Sequence, residues 1–350
     1  MDENKHKTIK KYFAAANSYR GFINYFDKVF PSEDFKRIYV LKGGPGTGKS
    51  SLMKKFSKAL YDIECDVEEI YCSSDPSSLD GVIASRNGNK IAFIDGTAPH
   101  ERDAIIPGAV DEIINLGNNW DKKWLIAKRD DIIALCKEKS ESYKTAYQYL
   151  QIAGQAAKQI KFVYLSKFNE LKAKTKAETF LPKLCLNSTG KIQTRLKSSF
   201  GRYGEFNLEI QESSDKKIIG VGGNDNSISL FLEVCLSRLM QISADITVFP
   251  SALDPDSLDA IELHNEELLI LKKQNCEIDA DEFVLLTEVD KERIKTSEAI
   301  RKDALNEAKR WFKIASDIHF RLEGIYSQAM NFEKNDRIFE EKTTELKNIL

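Results

Sequence analysis

Apolar residues along this chain follow two different periods. Short runs such as Arg37-Ile38-Tyr39-Val40-Leu41, Lys90-Ile91-Ala92-Phe93-Ile94-Asp95 and Ile218-Ile219-Gly220-Val221 are almost continuously apolar and bounded by glycine or asparagine. That pattern predicts strands buried on both faces. Between 120 and 178 the spacing changes to three and four residues, through Ile132, Leu135, Tyr143, Tyr147, Leu150, Ala153, Ala157, Ile160 and Phe168. The run 294–350 has the same character, through Leu305, Trp311, Ile318, Leu322, Ile325 and Phe332. This is the period of an amphipathic helix. Each run is long enough for two helices folded back on each other, with the aromatic stripes as helix–helix core.

The two periods occur in the same order twice. Ser74-Asp75-Pro76-Ser77-Ser78-Leu79-Asp80 is nearly repeated as Leu253-Asp254-Pro255-Asp256-Ser257-Leu258-Asp259, an offset of 254 − 75 = 179. Carried back without gaps, that offset places Gly43-Gly44 on Gly222-Gly223 and Ser50 on Ser229, each glycine pair following a strand-like run. Upstream, Asn17-Ser18 and Asn187-Ser188 both lead into amphipathic stretches ending at Phe30 and Phe200. The chain reads as a tandem duplication. The expected fold is α/β: two P-loop NTPase-like three-layer α/β/α domains, 1–178 and 179–350, with mainly parallel sheets, each followed by a helical hairpin. Asp75 and Asp254, each before a proline, are suited to N-cap helices; a substrate-contacting role for Asp75 or Asp80 is the alternative.

Composition narrows the class. The 350 residues are 42% hydrophobic and 30% charged with a net charge of -2. This is the balance of a globular protein, without the basic field that would hold a nucleic acid. No leader-like segment opens the sequence, and nowhere do about 18 apolar residues run together. A cytoplasmic protein with no membrane partner is expected. Cys65, Cys72, Cys136, Cys185, Cys235 and Cys276 are scattered without a C-x-x-C pair and read as reduced core thiols.

The chemistry concentrates in Gly43-Gly44-Pro45-Gly46-Thr47-Gly48-Lys49-Ser50, which fits G-x-x-x-x-G-K-[ST] between a strand-like run and a helix-like one beginning at Ser51. In such a loop successive backbone N–H groups converge on phosphate oxygens and the helix N-terminus adds partial positive charge. The motif predicts Mg·ATP bound by residues 43–51. Lys49 would reach the β- and γ-phosphates, Ser50 would hold Mg²⁺, and Asp95 at the end of its strand would hold the metal's water shell. His100, in Gly96-Thr97-Ala98-Pro99-His100-Glu101, is a candidate for polarising water or reading the γ-phosphate. Gly96 stands where many hydrolytic ATPases carry a glutamate, so His100 or Glu101 would have to substitute. The second half has Asn224, Asp225, Asn226, Ser227 and Ile228 against Pro45, Gly46, Thr47, Gly48 and Lys49, and Lys272-Lys273 where an acid would be needed. Nucleotide binding is expected in the first half only.

These blocks, together with Cys72-Ser73-Ser74-Asp75-Pro76 and Pro107-Gly108-Ala109-Val110-Asp111-Glu112, resemble an uncharacterised family of bacterial P-loop ATPases with two P-loop-like halves. The resemblance implies ATP binding, and fixes neither a second substrate nor a protein partner. The alternative is a small-molecule or nucleotide kinase. Such enzymes usually gather arginines around the transferring phosphoryl group, and between Asp80 and Asp130 only Arg86, Arg102 and Arg129 occur.

Overall fold

The computed structural model describes residues 9–185, 188–209, 217–264, 268–273 and 276–350, with the backbone alone at 347–348. The first half runs β1 (Ile9–Phe13), β2 (Ala15–Ser18), β3 (Gly21–Asn24), α1 (Phe26–Val29), β4 (Arg37–Lys42), α2 (Lys49–Asp62), β5 (Asp66–Tyr71), β6 (Leu79–Arg86), β7 (Asn89–Asp95), β8 (Asp111–Asn115), α3 (Lys122–Ala127), α4 (Arg129–Lys167) and α5 (Glu170–Ala177). The second runs β9 (Ile192–Thr194), β10 (Ser198–Gly201), β11 (Gly204–Asn207), β12 (Lys217–Gly222), α6 (Asp225–Gln241), β13 (Ile246–Pro250), β14 (Leu258–Leu263), β15 (Leu268–Lys272), β16 (Ile278–Asp279), α7 (Glu288–Gln328) and α8 (Phe332–Ile349).

The duplication is visible strand by strand. One six-stranded sheet has the order β1-β5-β6-β7-β4-β8, and the other, read from its opposite edge, β9-β13-β14-β15-β12-β16. In both, only the third strand runs antiparallel to its neighbours. The chain is therefore α/β, with two mainly parallel mixed sheets. The equivalence is not gap-free. Gly96 N–H donates to Leu41 O and Lys273 N–H to Val221 O, both at 3.0 Å, which matches Leu41 to Val221 and Gly43 to Gly223 rather than Gly222. Ser50 still matches Ser229, because their hydroxyls accept from Leu79 N–H (2.9 Å) and Leu258 N–H (3.0 Å). The second loop is one residue shorter. Upstream, the hairpins β2–β3 and β10–β11 correspond, pairing Ser18 with Gly201 instead of Ser188; Asn187 lies outside the described residues.

The layering differs from the expected α/β/α sandwich. Tyr39, Leu41, Val82 and Phe93 on one face of the first sheet pack against Leu52, Met53 and Phe56 of α2. The other face, with Ile38, Val40, Ile83 and Ile94, shares a cluster with Phe26, Phe30 and Phe35 and with Phe249, Ala260, Leu269 and Leu271 of the second sheet. Each half thus has helices covering one face, while the one-turn α1 and the other half's sheet occupy the place of the second helical layer. Strand sides alternate, and both sides here are apolar, so the sequence pattern could not tell a helix from a sheet as the covering partner.

The helical hairpins also form across the halves. α4 and α7 are single helices of 39 and 41 residues packed antiparallel: Leu135 meets Ile318 and Leu322 at one end, and Ile160 and Tyr164 lie with Ile294 at the other. At about 1.5 Å per residue each spans roughly 60 Å. The terminal helices then cross over. α8 lies on α2 of the first half, with Phe339 against Phe56 at 5.0 Å and Tyr39 Oη donating to Glu345 at 3.0 Å. α5 packs Ala173 and Ala177 into the core around α6. The edge strand β1 is tied to the segment just after β9 by a reciprocal Phe13–Leu196 backbone pair at 2.8 and 3.1 Å. No helix among the described residues is long and apolar enough to cross a membrane.

The Asp-Pro elements cap no helix. Asp75 accepts from Ser77 N–H at 3.1 Å and Ser77 Oγ at 2.8 Å, and Ser78 N–H donates to Asp75 O at 2.9 Å, turning the chain from β5 into antiparallel β6. Asp254 makes the matching turn with Ser257. Aspartate before proline suits such a turn as well as a helix start. Its effect is to deliver Asp80 and Asp259 to the second positions of β6 and β14.

Candidate functional site

Loop 43–50 joins β4 to α2 at the carboxyl end of the first sheet. Gly46 and Gly48 have φ of 71° and 81°, left-handed values that glycine adopts without strain. Space matters as much. A Cβ at Gly46 would lie 2.6 Å from Glu323 O, and one at Gly48 3.2 Å from Asn335 Nδ2 and 3.3 Å from Phe332. The α7–α8 corner of the second half therefore presses on the outside of the loop, and Asn335 Nδ2 donates to Thr47 O at 2.9 Å. Thr47 Oγ1 fixes the turn from inside by donating to Gly44 O at 2.9 Å. Pro45 is half-buried within the loop, and Ser51 is exposed on α2.

Lys49 curls back over this loop. Its Nζ donates to Gly43 O at 2.7 Å and Gly44 O at 3.0 Å and stands 3.6 Å from the Asp95 carboxylate. Asp95 lies one strand away, opposite Leu41 in the β4–β7 register, and accepts from Thr97 N–H at 2.8 Å and from Thr97 Oγ1. Burial pushes its pKa up, with Asp80 adding to the rise, and Lys49 and Thr97 only partly oppose this. Ser50 Oγ keeps its own hydrogen free while accepting from Leu79 N–H. The structure thus brings Lys49, Ser50 and Asp95 together.

His100 is a buried wall residue rather than a free loop side chain. It stacks on Phe26 (4.7 Å, 16°) and lies 5.3 Å from Phe22. Its Nε2 is 2.9 Å from Asp80 Oδ2, with both side chains less than a tenth exposed. Burial alone would lower the imidazole's pKa; the Asp80 and Asp95 carboxylates outweigh it and hold it above the usual histidine value. The sequence offered Asp80, the last residue of a repeated element, for substrate contact; its pairing with His100 was not legible there. Glu101 is exposed. A glutamate after Asp95 is sterically barred, because a Cβ at Gly96 would lie 2.4 Å from Val40 Cγ1 and 2.9 Å from Arg102 O.

The second half shows what these positions become without the lysine. Lys272 occupies the place of Asp95 and pairs with Asp225. Asp259 keeps the place of Asp80 but faces Lys197, and segment 96–110, with His100, is replaced by the shorter 273–277. Helix α6 starts earlier, capped by Asn224, whose side chain accepts from Asn226 N–H. Asp281 Oδ1 accepts from Asn224 N–H at 3.0 Å and Ser227 Oγ at 2.6 Å. A carboxylate from the chain itself therefore sits at the N-terminus of α6, beside a cavity of about 450 Å³ lined by Lys197, Lys272, Lys273, Asp259 and Asp281 among others. The residue at the Asp281 position in the first half is Gly117, as matched by the turn-capping pair Asn115 and Asp279, and no side chain caps α2. No family model matches this chain, and no curated protein or solved structure is significantly similar to it.

Proposed function

We propose that the chain is an Mg-dependent ATPase whose single nucleotide site is loop 43–50, the second half being structural or regulatory. One comparison carries the reading. Two equivalent helices begin at equivalent loops; one is closed by Asn224 and Asp281, and the other, with Gly117 in place of the aspartate and a lysine in its first turn, has no side-chain cap. A helix N-terminus left this way, beside a cation, is suited to an external polyanion.

In this reading the backbone N–H groups of the loop and Lys49 hold the β- and γ-phosphates, moving Lys49 little from its present hydrogen bonds to the loop. The hydroxyl of Ser50 and the carboxylate of Asp95, both hard oxygen donors, suit Mg²⁺, which would supply charge neutralisation on the transferring phosphoryl group. His100 is held by Asp80 through Nε2 with its Nδ1 buried, so it acts on the site through its electrostatic coupling to Lys49 and Asp95 rather than as a base for water. The arginine that a kinase would aim at its phosphoryl group is already engaged: Arg102 Nη1 donates to Phe30 O at 2.6 Å and Nη2 to Ser32 Oγ at 2.9 Å. That favours hydrolysis over transfer to an acceptor.

The test is nucleotide binding and phosphate release by the full chain beside Lys49→Ala. Loss of the charged contacts is expected to weaken binding about 100-fold, at roughly 1.5–3 kcal/mol for each of one or two charge-assisted bonds. Unchanged affinity in the variant would sink the assignment; intact binding without phosphate release would move the weight to an acceptor-dependent kinase.

A further inference from the structure

The wall that holds His100 contains a second constellation, independent of the nucleotide reading. Cys72 follows β5, Asp80 is the second residue of β6 and His100 lies in segment 96–110; one ligand atom from each falls within 4.8 Å of the other two. Asp80 is hydrogen-bonded to both partners, the Cys72 thiol and His100 Nε2. Around the sulfur, the backbone N–H groups of Ser74 and Asp75 also point at Sγ. These two amides favour a thiolate, as hydrogen bonds to metal-bound sulfurs do, although burial and Asp80 outweigh them and push the metal-free thiol's pKa up. His100 Nδ1 is buried and has no hydrogen-bond partner, so nothing on that side fixes the imidazole in the Asp80-bonded form.

We propose that Cys72, Asp80 and His100 form a binding site for a zinc-class divalent cation. Thiolate, imidazole and carboxylate together select Zn²⁺ or a similar borderline ion and disfavour Mg²⁺ and Ca²⁺. Bond lengths of about 2.0–2.3 Å in a tetrahedron need ligand atoms roughly 3–4 Å apart, so the present cluster has to tighten by less than about 1 Å on its widest side. In the metal-free protein the three groups are held together by protons; on binding, the cation replaces them: the Cys72 thiol proton leaves to solvent, the Nε2 proton of His100 leaves to solvent from the imidazolium or moves to Nδ1 in the neutral ring, and three protein ligands leave a fourth position for water. The comparison within the chain is specific. Ser251 takes the Cys72 position in the same turn, since Cys72 N–H donates to Ser78 O at 3.0 Å and Ser251 N–H to Ser257 O at 2.9 Å. His100 has no counterpart there, and only the aspartate is shared. Cysteine and histidine are thus present together in one half and absent together from the other, as the two softer ligands of a single site would be.

The experiment is titration of the chelator-stripped full chain with Co²⁺ alone, followed by absorption. One equivalent should bind with a thiolate-to-cobalt charge-transfer band and tetrahedral visible bands, and Zn²⁺ should displace it. Cys72→Ser, which installs the second half's own residue, should abolish the charge-transfer band and weaken binding at least about 100-fold, since supporting contacts alone are worth 10–100-fold. Cys136→Ser, at an exposed thiol, should change nothing. Absence of the band in the folded wild type, or its survival in Cys72→Ser, would overturn the proposal. Should Cys72→Ser not fold, His100→Gln gives the same decision through loss of the tetrahedral bands. No nucleotide enters the assay, so its failure leaves the ATPase reading standing.

Discussion

Replacing Asp281 by alanine tests whether the second half has substituted a carboxylate of its own for a bound anion. The variant removes the acceptor of Asn224 N–H and of Ser227 Oγ, whose side chain is fully buried. Asp281 itself is exposed, so the amide half of the loss belongs at the lower end of the capping range, about 0.5–1 kcal/mol. A buried hydroxyl left without its acceptor adds about 1 kcal/mol. The sum, about 2 kcal/mol, corresponds to a fall in Tm of roughly 4–8 °C at 2–4 °C per kcal/mol. Asp281→Asn keeps an acceptor oxygen and gives up only the charge at the helix terminus, about 0.3–1 kcal/mol. The decisive readout is rescue. With the carboxylate gone, sulfate can occupy the same N–H groups beside Lys272 and Lys273, and a tenfold excess over its dissociation constant returns about 1.4 kcal/mol by mass action. Sulfate also stabilises folded proteins generally by exclusion from their surface, so denaturant unfolding of wild type and variant must be compared at each sulfate concentration. A cost below about 0.5 kcal/mol, or equal stabilisation of both proteins by sulfate, would refute the idea that Asp281 holds a phosphate's place.

Two further perturbations act on the first half. Asp95→Asn should raise Tm near neutral pH: the folded-state pKa of Asp95 lies above its unfolded value, so its stability contribution is lost as pH rises through the folded pKa, and the neutral isostere escapes that loss. The gain should fade toward acid, while Mg-dependent turnover falls by about 100-fold or more, the scale of losing one preorganised electrostatic contact. His100→Gln should destabilise more under mildly acidic than alkaline conditions. Facing Asp80 on β6, Asp95 on β7, Lys49 on α2 and the Cys72 thiol, His100 has a folded pKa raised above 6.5; its stabilisation is complete below that value and disappears as pH rises through the raised one. Urea unfolding at about pH 6 and about pH 9 checks the sign, and a gap that widens toward alkaline pH contradicts it.

The sequence carried the strand–loop–helix around 43–50, the acid ending β7 and the existence of a repeat, because each depends on local chemistry: glycines at left-handed φ, an apolar run, a recurring Asp-Pro turn. It did not carry the partner of any apolar face. Periodicity says that α4 and α7 each bury a stripe, but not that each stripe faces the other half, nor that α8 crosses to cover Phe56. The register of the repeat slipped by one residue because nothing in a glycine pair distinguishes a loop from one a residue shorter that starts its helix early. Cys72 is a free thiol, as expected, but the amides beside its sulfur were not legible because they belong to a turn read as a helix cap. Gly96 looked like a missing catalytic glutamate; the space between Val40 and Arg102 shows that no side chain fits there.

The charges around the two equivalent loops point the same way as the geometry. Around the second, each of three acids is satisfied within the fold: Asp225 is paired by Lys272, Asp259 is opposed by Lys197, and Asp281 is bonded into the start of α6. Around the first, Asp80 and Asp95 are both buried and raise the proton affinity of their surroundings, seen at His100 and between the carboxylates themselves, while Lys49 is the cation 3.6 Å from Asp95. Lys49 only partly compensates Asp95, and once His100 is neutral Asp80 has no cation against it, so negative charge remains in the place where the loop and the α2 terminus would invite an anion. A bare polyphosphate would be opposed by those acids. A triphosphate that arrives with a divalent ion would be matched by them, because the metal converts Asp95 from a repulsive neighbour into a ligand. The same carboxylates that argue against unassisted anion binding therefore predict that nucleotide affinity at this loop depends on the metal, and that replacing Asp95 by asparagine relaxes the dependence even as it removes turnover.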